Sequence, residues 1–246
     1  MTNSGALGPV FSEEGLRLLP RPASDVLAAV LSGRTLAVEE LQFLLAKLYT
    51  IGEQRPARCL GILSATAGEG KTTLAIGLAA TLAAEPARRV LLVEADLRKP
   101  AIESYLGLPI APGVAEWLRG SVATVPLRWV TPPGFALVPA GRSGLDRPDR
   151  MGSRRMAELL DAARQAFDFI IVDCPPVTPV ADVVYIQDRL DGFLFLVRAR
   201  QSPKEAIQRA ASRLKPDRIL GTIFNDQKEI FSSYYNYGYR RYGDSV

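Results

Sequence analysis

The stretch SATAGEGKTT, residues 64–73, has the clearest capacity for chemistry in the chain. A phosphate-binding loop follows the rule G-x-x-x-x-G-K-[ST]. Here Ala65 occupies the first position, and Gly70-Lys71-Thr72 close the motif in register. Gly68 and Gly70 let backbone N–H groups approach phosphate oxygens, because no Cβ stands in the way. An apolar run precedes the loop and a helical pattern follows it, so the positive end of a helix faces the anion. Lys71 has the reach to bridge β- and γ-phosphates, and Thr72 carries a hydroxyl for Mg²⁺. Glu69 and Thr73 complete the residues expected around the nucleotide. A plain glycine turn between strand and helix would not require Lys-Thr at this spacing.

Two acidic stretches point to the same place. FDFIIVD ends an apolar run with Asp173, and LLVEADLRKP ends another with Glu94 and Asp96. A carboxylate at such a strand tip can hold a water of Mg²⁺. Ligands of open parallel sheets gather outside the carboxyl ends of the strands. The three acids are therefore expected to converge on the loop. Lys71, Glu94, Asp96 and Asp173 are the catalytic candidates, and Thr72, Asp96 and Asp173 the metal-ligating ones. MgATP and its product ADP are the ligands this set implies.

These groups need a sheet to position them, and the pattern supplies one. Apolar runs at 59–64, 89–96, 135–141, 167–173, 192–199 and 218–225 read as strands. Helical stretches over 71–84, 153–166 and 203–214 alternate with them. Apolar strands alternating with helices imply a mainly parallel sheet covered on both faces. The expected fold is an α/β phosphate-loop NTPase with three α/β/α layers, and it resembles that of the MinD and ParA ATPases. Residues 1–24 read as a flexible leader in which FSEEGLRLL could dock locally. One helical pattern runs from Asp25 to Ile51, with Val38, Leu41, Leu45 and Leu48 on one face. The nucleotide domain spans 25–228, and 229–246 form a separate tail.

Composition closes several alternatives. The 246 residues contain no histidine, which removes histidine proton transfer and histidine metal ligands. A net charge of +4 is only a weak lean towards anionic partners, so nucleic acid is not expected. Cys59 and Cys174 lie in apolar strand contexts and read as two buried thiols in a reducing compartment. No apolar run approaches the roughly 20 residues of a membrane span. A cytoplasmic chain is expected, with any membrane association supplied by a partner.

The tail changes character. SSYYNYGYRRYG holds Tyr234, Tyr235, Tyr237, Tyr239 and Tyr242, five of the chain's eight tyrosines. Its surroundings are polar and lack strand alternation. With an ATP loop upstream, the cluster reads as a set of phosphate acceptors. The loop, the two acidic motifs, the Asp-x-Pro-Pro continuation in FDFIIVDCPPVTPVAD and the tail together resemble the bacterial tyrosine kinases of capsule and exopolysaccharide synthesis. The resemblance runs from residue 35 to the end.

It implies phosphoryl transfer from MgATP to a tyrosine hydroxyl. Lys71 would neutralise developing charge, and Asp96 or Glu94 would orient or deprotonate the phenol. It also implies a stand-alone kinase subunit that is activated by a membrane-bound polysaccharide copolymerase at the inner membrane face. The tail of one copy in a homo-oligomer would enter the site of the next. Asn225, ending ILGTIFN, would read adenine, since an amide donates and accepts at once.

Two departures stand out. Glu94 replaces the family's usual Asp. Glu39, Gln42 and Leu45 stand where the family carries E-x-x-R-x-x-R, its subunit-contact motif. Two other readings share the loop. A MinD or ParA ATPase would carry its signature lysine at Thr66. A nucleotide-binding regulator without catalysis would use the tail as a docking peptide.

Overall fold

A computed structural model describes residues 9–12, 17–33, 36–142, 148–178 and 181–226. The elements run β1 (Phe11–Ser12), β2 (Arg17–Leu18), α1 (Asp25–Ser32), α2 (Leu36–Gln54), β3 (Cys59–Ser64) and α3 (Lys71–Ala83). They continue with β4 (Val90–Glu94), α4 (Ile102–Leu106), α5 (Val114–Arg119), β5 (Val125–Pro126), β6 (Arg128–Val130) and β7 (Phe135–Val138). The last are α6 (Arg154–Ala166), β8 (Phe169–Asp173), α7 (Asp182–Ile186), β9 (Gly192–Arg198), α8 (Lys204–Arg213) and β10 (Ile219–Asn225).

Eight strands form the main sheet in the order β10-β9-β3-β8-β4-β7-β6-β2. Every pairing in it is parallel except β6 with β7. The central strands are apolar at nearly every position because both faces are covered. Successive side chains still alternate between two cores. Leu60, Ile62, Leu92 and Ile171 face α1, α2, α3 and α4. Cys59, Leu63, Leu91 and Val172 face α5, α6, α7 and α8. The expected three-layer α/β/α architecture is therefore present.

Helix α3 runs beneath the sheet and is buried over most of its length. At Gly77 a Cβ would stand 3.0 Å from Leu41 of α2, so the absence of a side chain lets the two helices approach. Leu41, Leu45 and Leu48 of α2 fill that contact.

Three features differ from the sequence reading. The single helix expected over Asp25–Ile51 is two. Gly33, at φ 74°, ends α1 by donating its N–H to Val30 O, and the chain restarts as α2. Within the leader, the described residues dock, as FSEEGLRLL allowed. β1 pairs with β5 and β2 with β6, and Phe11 is buried edge-on against Phe167. The short elements α4, α5, β5 and β6 carried too few residues to register as periodic patterns. Cys59 and Cys174 are free, buried thiols, as expected.

Candidate functional site

The carboxyl ends of β10, β9, β3, β8 and β4 lie side by side, so their terminal residues share one edge of the sheet. The loop 65–70 leaves β3 there and feeds α3. Gly68 and Gly70 take φ of 79° and 101°, the left-handed region that glycine enters without strain. A Cβ on Gly70 would also collide with the Asn225 amide. The N-terminus of α3 has no side-chain cap, which leaves its first N–H groups for an anion.

Glu69 explains how the loop closes without the first glycine. Its Oε1 accepts from Thr66 N at 2.8 Å and from Thr66 Oγ1 at 2.5 Å. Ser64 Oγ adds a bond to Thr66 O at 2.6 Å. Ala65 is fully buried beneath this turn. Thr66, where a signature lysine would stand, is thus committed to bracing the loop.

The acids do not behave alike. Asp173 is buried beside Lys71, and its pKa is pushed up to about 7. Burial is the main cause, with Glu94 and Asp96 adding to it, while a hydrogen bond from Thr72 and the charge of Lys71 oppose it. Its Oδ1 is buried without a hydrogen-bond partner. Asp96 is half-buried, and its Oδ1 accepts from Lys99 N at 3.1 Å. Burial raises its pKa, opposed by the Lys99 N–H, Lys71 and the Arg98 N–H, with Asp182 adding a further push upward.

Glu94 is held differently. Its Oε1 accepts from Ala101 N at 2.5 Å and Ile102 N at 2.8 Å, and its Oε2 from Ala140 N at 3.1 Å. It ties the start of α4 to the end of β7. Both oxygens are occupied by backbone donors, so of the two acids expected to meet a phenol only Asp96 keeps solvent access. The extra methylene of glutamate supplies the reach this bracing needs.

The donor set suits a hydrated Mg²⁺. Among the described residues, no three Cys, Asp or Glu side chains cluster tightly enough to hold a metal alone. Mg²⁺ is typically bound through one or two carboxylates plus phosphates and water. The orphaned Oδ1 of Asp173 and the adjacent Thr72 hydroxyl fit that mode.

Asn225 lies at the loop rather than away from it, its Nδ2 donating to Glu69 O at 2.8 Å. Lys71 is buried at the start of α3, and Thr72 and Thr73 follow in the first turn. The five tail tyrosines expected as acceptors lie outside the described residues. Two neighbours of the site have no role assigned by the sequence. Asp182 opens α7, is buried, and pairs with Arg98 at 3.0 Å. An acid in the first turn of a helix next to Asp-x-Pro-Pro was the available signal. The other is Arg198 at the tip of β9, which the strand-end rule applied to Asp173 would also have picked out.

A groove of about 570 Å³ lies at the opposite ends of β3 and β8, lined by Arg55, Arg58, Arg164 and Asp191 among others. Its guanidinium groups donate to the backbone carbonyls of Asp217, Asp168, Phe167 and Arg189. It takes no part in the nucleotide site. On α2, Glu39 and Gln42 are exposed but Leu45 is buried in the core, so a contact motif needing a third surface side chain there is absent. No helix among the described residues is long and apolar enough to cross a membrane.

Comparison with known proteins agrees with this fold. The family model of the CobQ/CobB/MinD/ParA nucleotide binding domain matches residues 60–233. The tyrosine-protein kinase YwqD of Bacillus subtilis (strain 168) is 28% identical over 214 residues, 86% of this chain and 89% of that protein. The succinoglycan biosynthesis transport protein ExoP of Rhizobium meliloti (strain 1021) is 31% identical over 182 residues, 71% of this chain. The kinase domain of the Escherichia coli tyrosine kinase ETK superposes with a TM-score of 0.75 at 23% identity, covering 91% of this chain and 92% of that one. The chain spans only 23% to 31% of the length of several curated relatives it matches, ExoP among them. The chain belongs to the CobQ/CobB/MinD/ParA nucleotide-binding family, and proteins named as bacterial tyrosine-protein kinases are among its relatives.

Proposed function

We propose that the chain is an ATP-dependent protein-tyrosine kinase that phosphorylates its own tyrosine-rich C-terminal segment. Its setting would be capsular or exopolysaccharide polymerisation and export, with a membrane-bound copolymerase as activator. The observation that carries this reading is the division among the acids. Glu94 and Asp173 are sealed in, while Asp96 keeps solvent access beside Lys71 and Asp173. An entering phenol would meet Asp96.

A tyrosine hydroxyl, with a pKa of about 10, must lose its proton as it attacks. Asp96 takes that proton, and its raised pKa makes it a better acceptor than an ordinary carboxylate. The phenolic oxygen bonds to the γ-phosphorus as the bond to the β,γ-bridging oxygen breaks, and ADP leaves. Lys71 and the N–H groups of the loop hold the phosphates. Thr72 and Asp173 would hold the Mg²⁺, which supplies positive charge to the phosphoryl oxygens. Asn225 keeps a second N–H and a second lone pair for adenine. Asn225→Ala should weaken MgATP binding and reduce preference over GTP, and an unchanged preference would remove it from the base.

The decisive measurement is mass spectrometry after incubation with MgATP, with and without membranes carrying the activator. Phosphate is expected among Tyr234, Tyr235, Tyr237, Tyr239 and Tyr242, and Lys71→Met should abolish it while the protein still melts cooperatively. In mixtures, Lys71→Met protein should be labelled by a copy lacking 234–246 if the tail of one copy enters the site of another. Binding of MgATP without phosphotyrosine under any condition would replace the kinase by a nucleotide-dependent regulator.

A further inference from the structure

Two side chains grip the back of the phosphate loop from the adjacent strand ends. Arg198 Nη1 donates to Gly68 O at 3.1 Å, and Asn225 Nδ2 to Glu69 O at 2.8 Å. Arg198 and Asn225 are register partners on β9 and β10, so they take consecutive carbonyls of the loop. A trans peptide is planar, with its N–H opposed to its C=O. Holding the carbonyls of Gly68 and Glu69 towards β9 and β10 therefore aims the N–H groups of Glu69 and Gly70 the other way. Those are loop donors that a nucleotide phosphate would need.

The grip has its own support. Asp226 holds the remaining face of the Arg198 guanidinium, with Oδ2 at 3.1 Å from Nε and 3.0 Å from Nη2. Asp226 also donates its N–H to Asn225 Oδ1 at 2.9 Å, and adopts φ 55° at the point where the chain leaves β10. Ala199 N closes the junction on Asn225 O at 2.9 Å. Both gripping side chains therefore depend on one residue at the exit of the last strand.

We propose that Arg198 is a positioning residue of the nucleotide site, and that Asp226, at the exit of β10, keeps Arg198 in place for that hold. This rests on the nucleotide-binding part of the function above and not on the transfer to tyrosine. Arg198 acts through the Gly68 peptide and needs no contact with the ligand. A guanidinium suits the task because its planar fork can serve a carbonyl and a carboxylate at once, which an ammonium does not reproduce.

The test is calorimetric titration of the full chain with MgADP, for the wild type, Arg198→Ala, Arg198→Lys and Asp226→Asn. Loss of one charge-assisted hydrogen bond predicts about tenfold weaker binding for Arg198→Ala. Arg198→Lys should recover only part of it, and Asp226→Asn should lose about threefold. Hydrogen exchange without ligand should speed up at residues 68–70 in Arg198→Ala, with α6 protection and the melting temperature unchanged. Affinity of Arg198→Ala within twofold of wild type, or unaltered exchange in the loop, overturns the proposal. A chain that binds MgADP yet carries no phosphotyrosine sinks the kinase reading and leaves this one standing.

Discussion

Glu94 and Asp173 end adjacent parallel strands, face each other in register and are equally buried. Judged by sequence position they are a matched pair. Three backbone N–H groups surround Glu94, whereas Asp173 keeps an oxygen with no hydrogen-bond partner. A buried carboxylate whose donors are all in place is part of the scaffold. One left short of a partner is held at a cost to stability, which a bound cation would offset. The difference lies in what each strand end meets. Beyond β4 the chain turns back through α4, whose first N–H groups need an acceptor. Beyond β8 lies the phosphate loop, whose donors would serve a ligand instead.

This contrast is broken most strongly by Glu94→Ala. It leaves three N–H groups without their acceptor, and should cost about 3–5 kcal/mol of stability, read by urea denaturation. If the variant unfolds at the wild-type midpoint but loses activity, Glu94 is chemical after all. Asp173→Asn should do the reverse. Loss of a carboxylate proposed to hold the metal should reduce phosphotyrosine formation by about 100-fold or more.

The same variant should be more stable than wild type without ligand at pH 8. Native Asp173 keeps its proton up to about pH 7. The unfolded carboxylate releases it near pH 4. Over that window the native state binds more protons, so wild-type stability falls as pH rises. The advantage of Asp173→Asn should therefore grow from pH 4 to 7 and then level off. Thermal melts across pH would detect it, since each kcal/mol moves a domain of this size by roughly 2–4 °C.

Glu94→Asp sharpens the comparison with a smaller change. One methylene less shortens the span between α4 and Ala140. Loss of one of the three bonds predicts about 1–2 kcal/mol. Phosphorylation measured at a temperature where the variant is fully folded should change less than threefold. A larger drop there would mean that the acid's position relative to Asp96, not its bracing, is what matters.

A second buried pair lies away from the site. Glu103 of α4 and Arg128 of β6 form an ion pair, and Arg128 also donates to Pro109 O at 2.6 Å. Burial is the main reason that Glu103 is pushed up to about 7. Arg128→Ala removes the charge that holds the Glu103 pKa down, so Glu103 of the variant takes up its proton above pH 7; the loss should be about 3–5 kcal/mol at pH 9, shrink as pH falls to 7 and level off below it. Equal losses at both pH values would show that packing, not charge, is what Arg128 provides.

Local pattern was enough for the elements that carry the loop and two of its acids. The runs CLGILS, VLLVE, FIIVD and GFLFLVR are strands because no polar residue interrupts them before their ends. The helix after Gly70-Lys71 starts where the loop motif places it. The residue types at the strand tips were legible for the same reason, since the first acid or amide after an apolar run marks its end. The division of Asp25–Ile51 into two helices was partly visible in Gly33. The apolar spacing continued across it and hid the break.

The amino-acid sequence by itself determined that a sheet would carry a phosphate loop, with acids and an amide at neighbouring strand ends. Those features rest on interactions within a few residues: periodicity, glycine conformation and helix polarity. Only the tertiary structure decided what each end does. Glu94 became a brace because Ala101, Ile102 and Ala140 reach it from two other elements. Arg198 and Asn225 came to hold the loop because β9 lies beside β3 and β10 beside β9, although both residues are more than a hundred positions from the loop in the chain. A side chain's partners across such distances are set by sheet order and register, and one-dimensional spacing does not contain them.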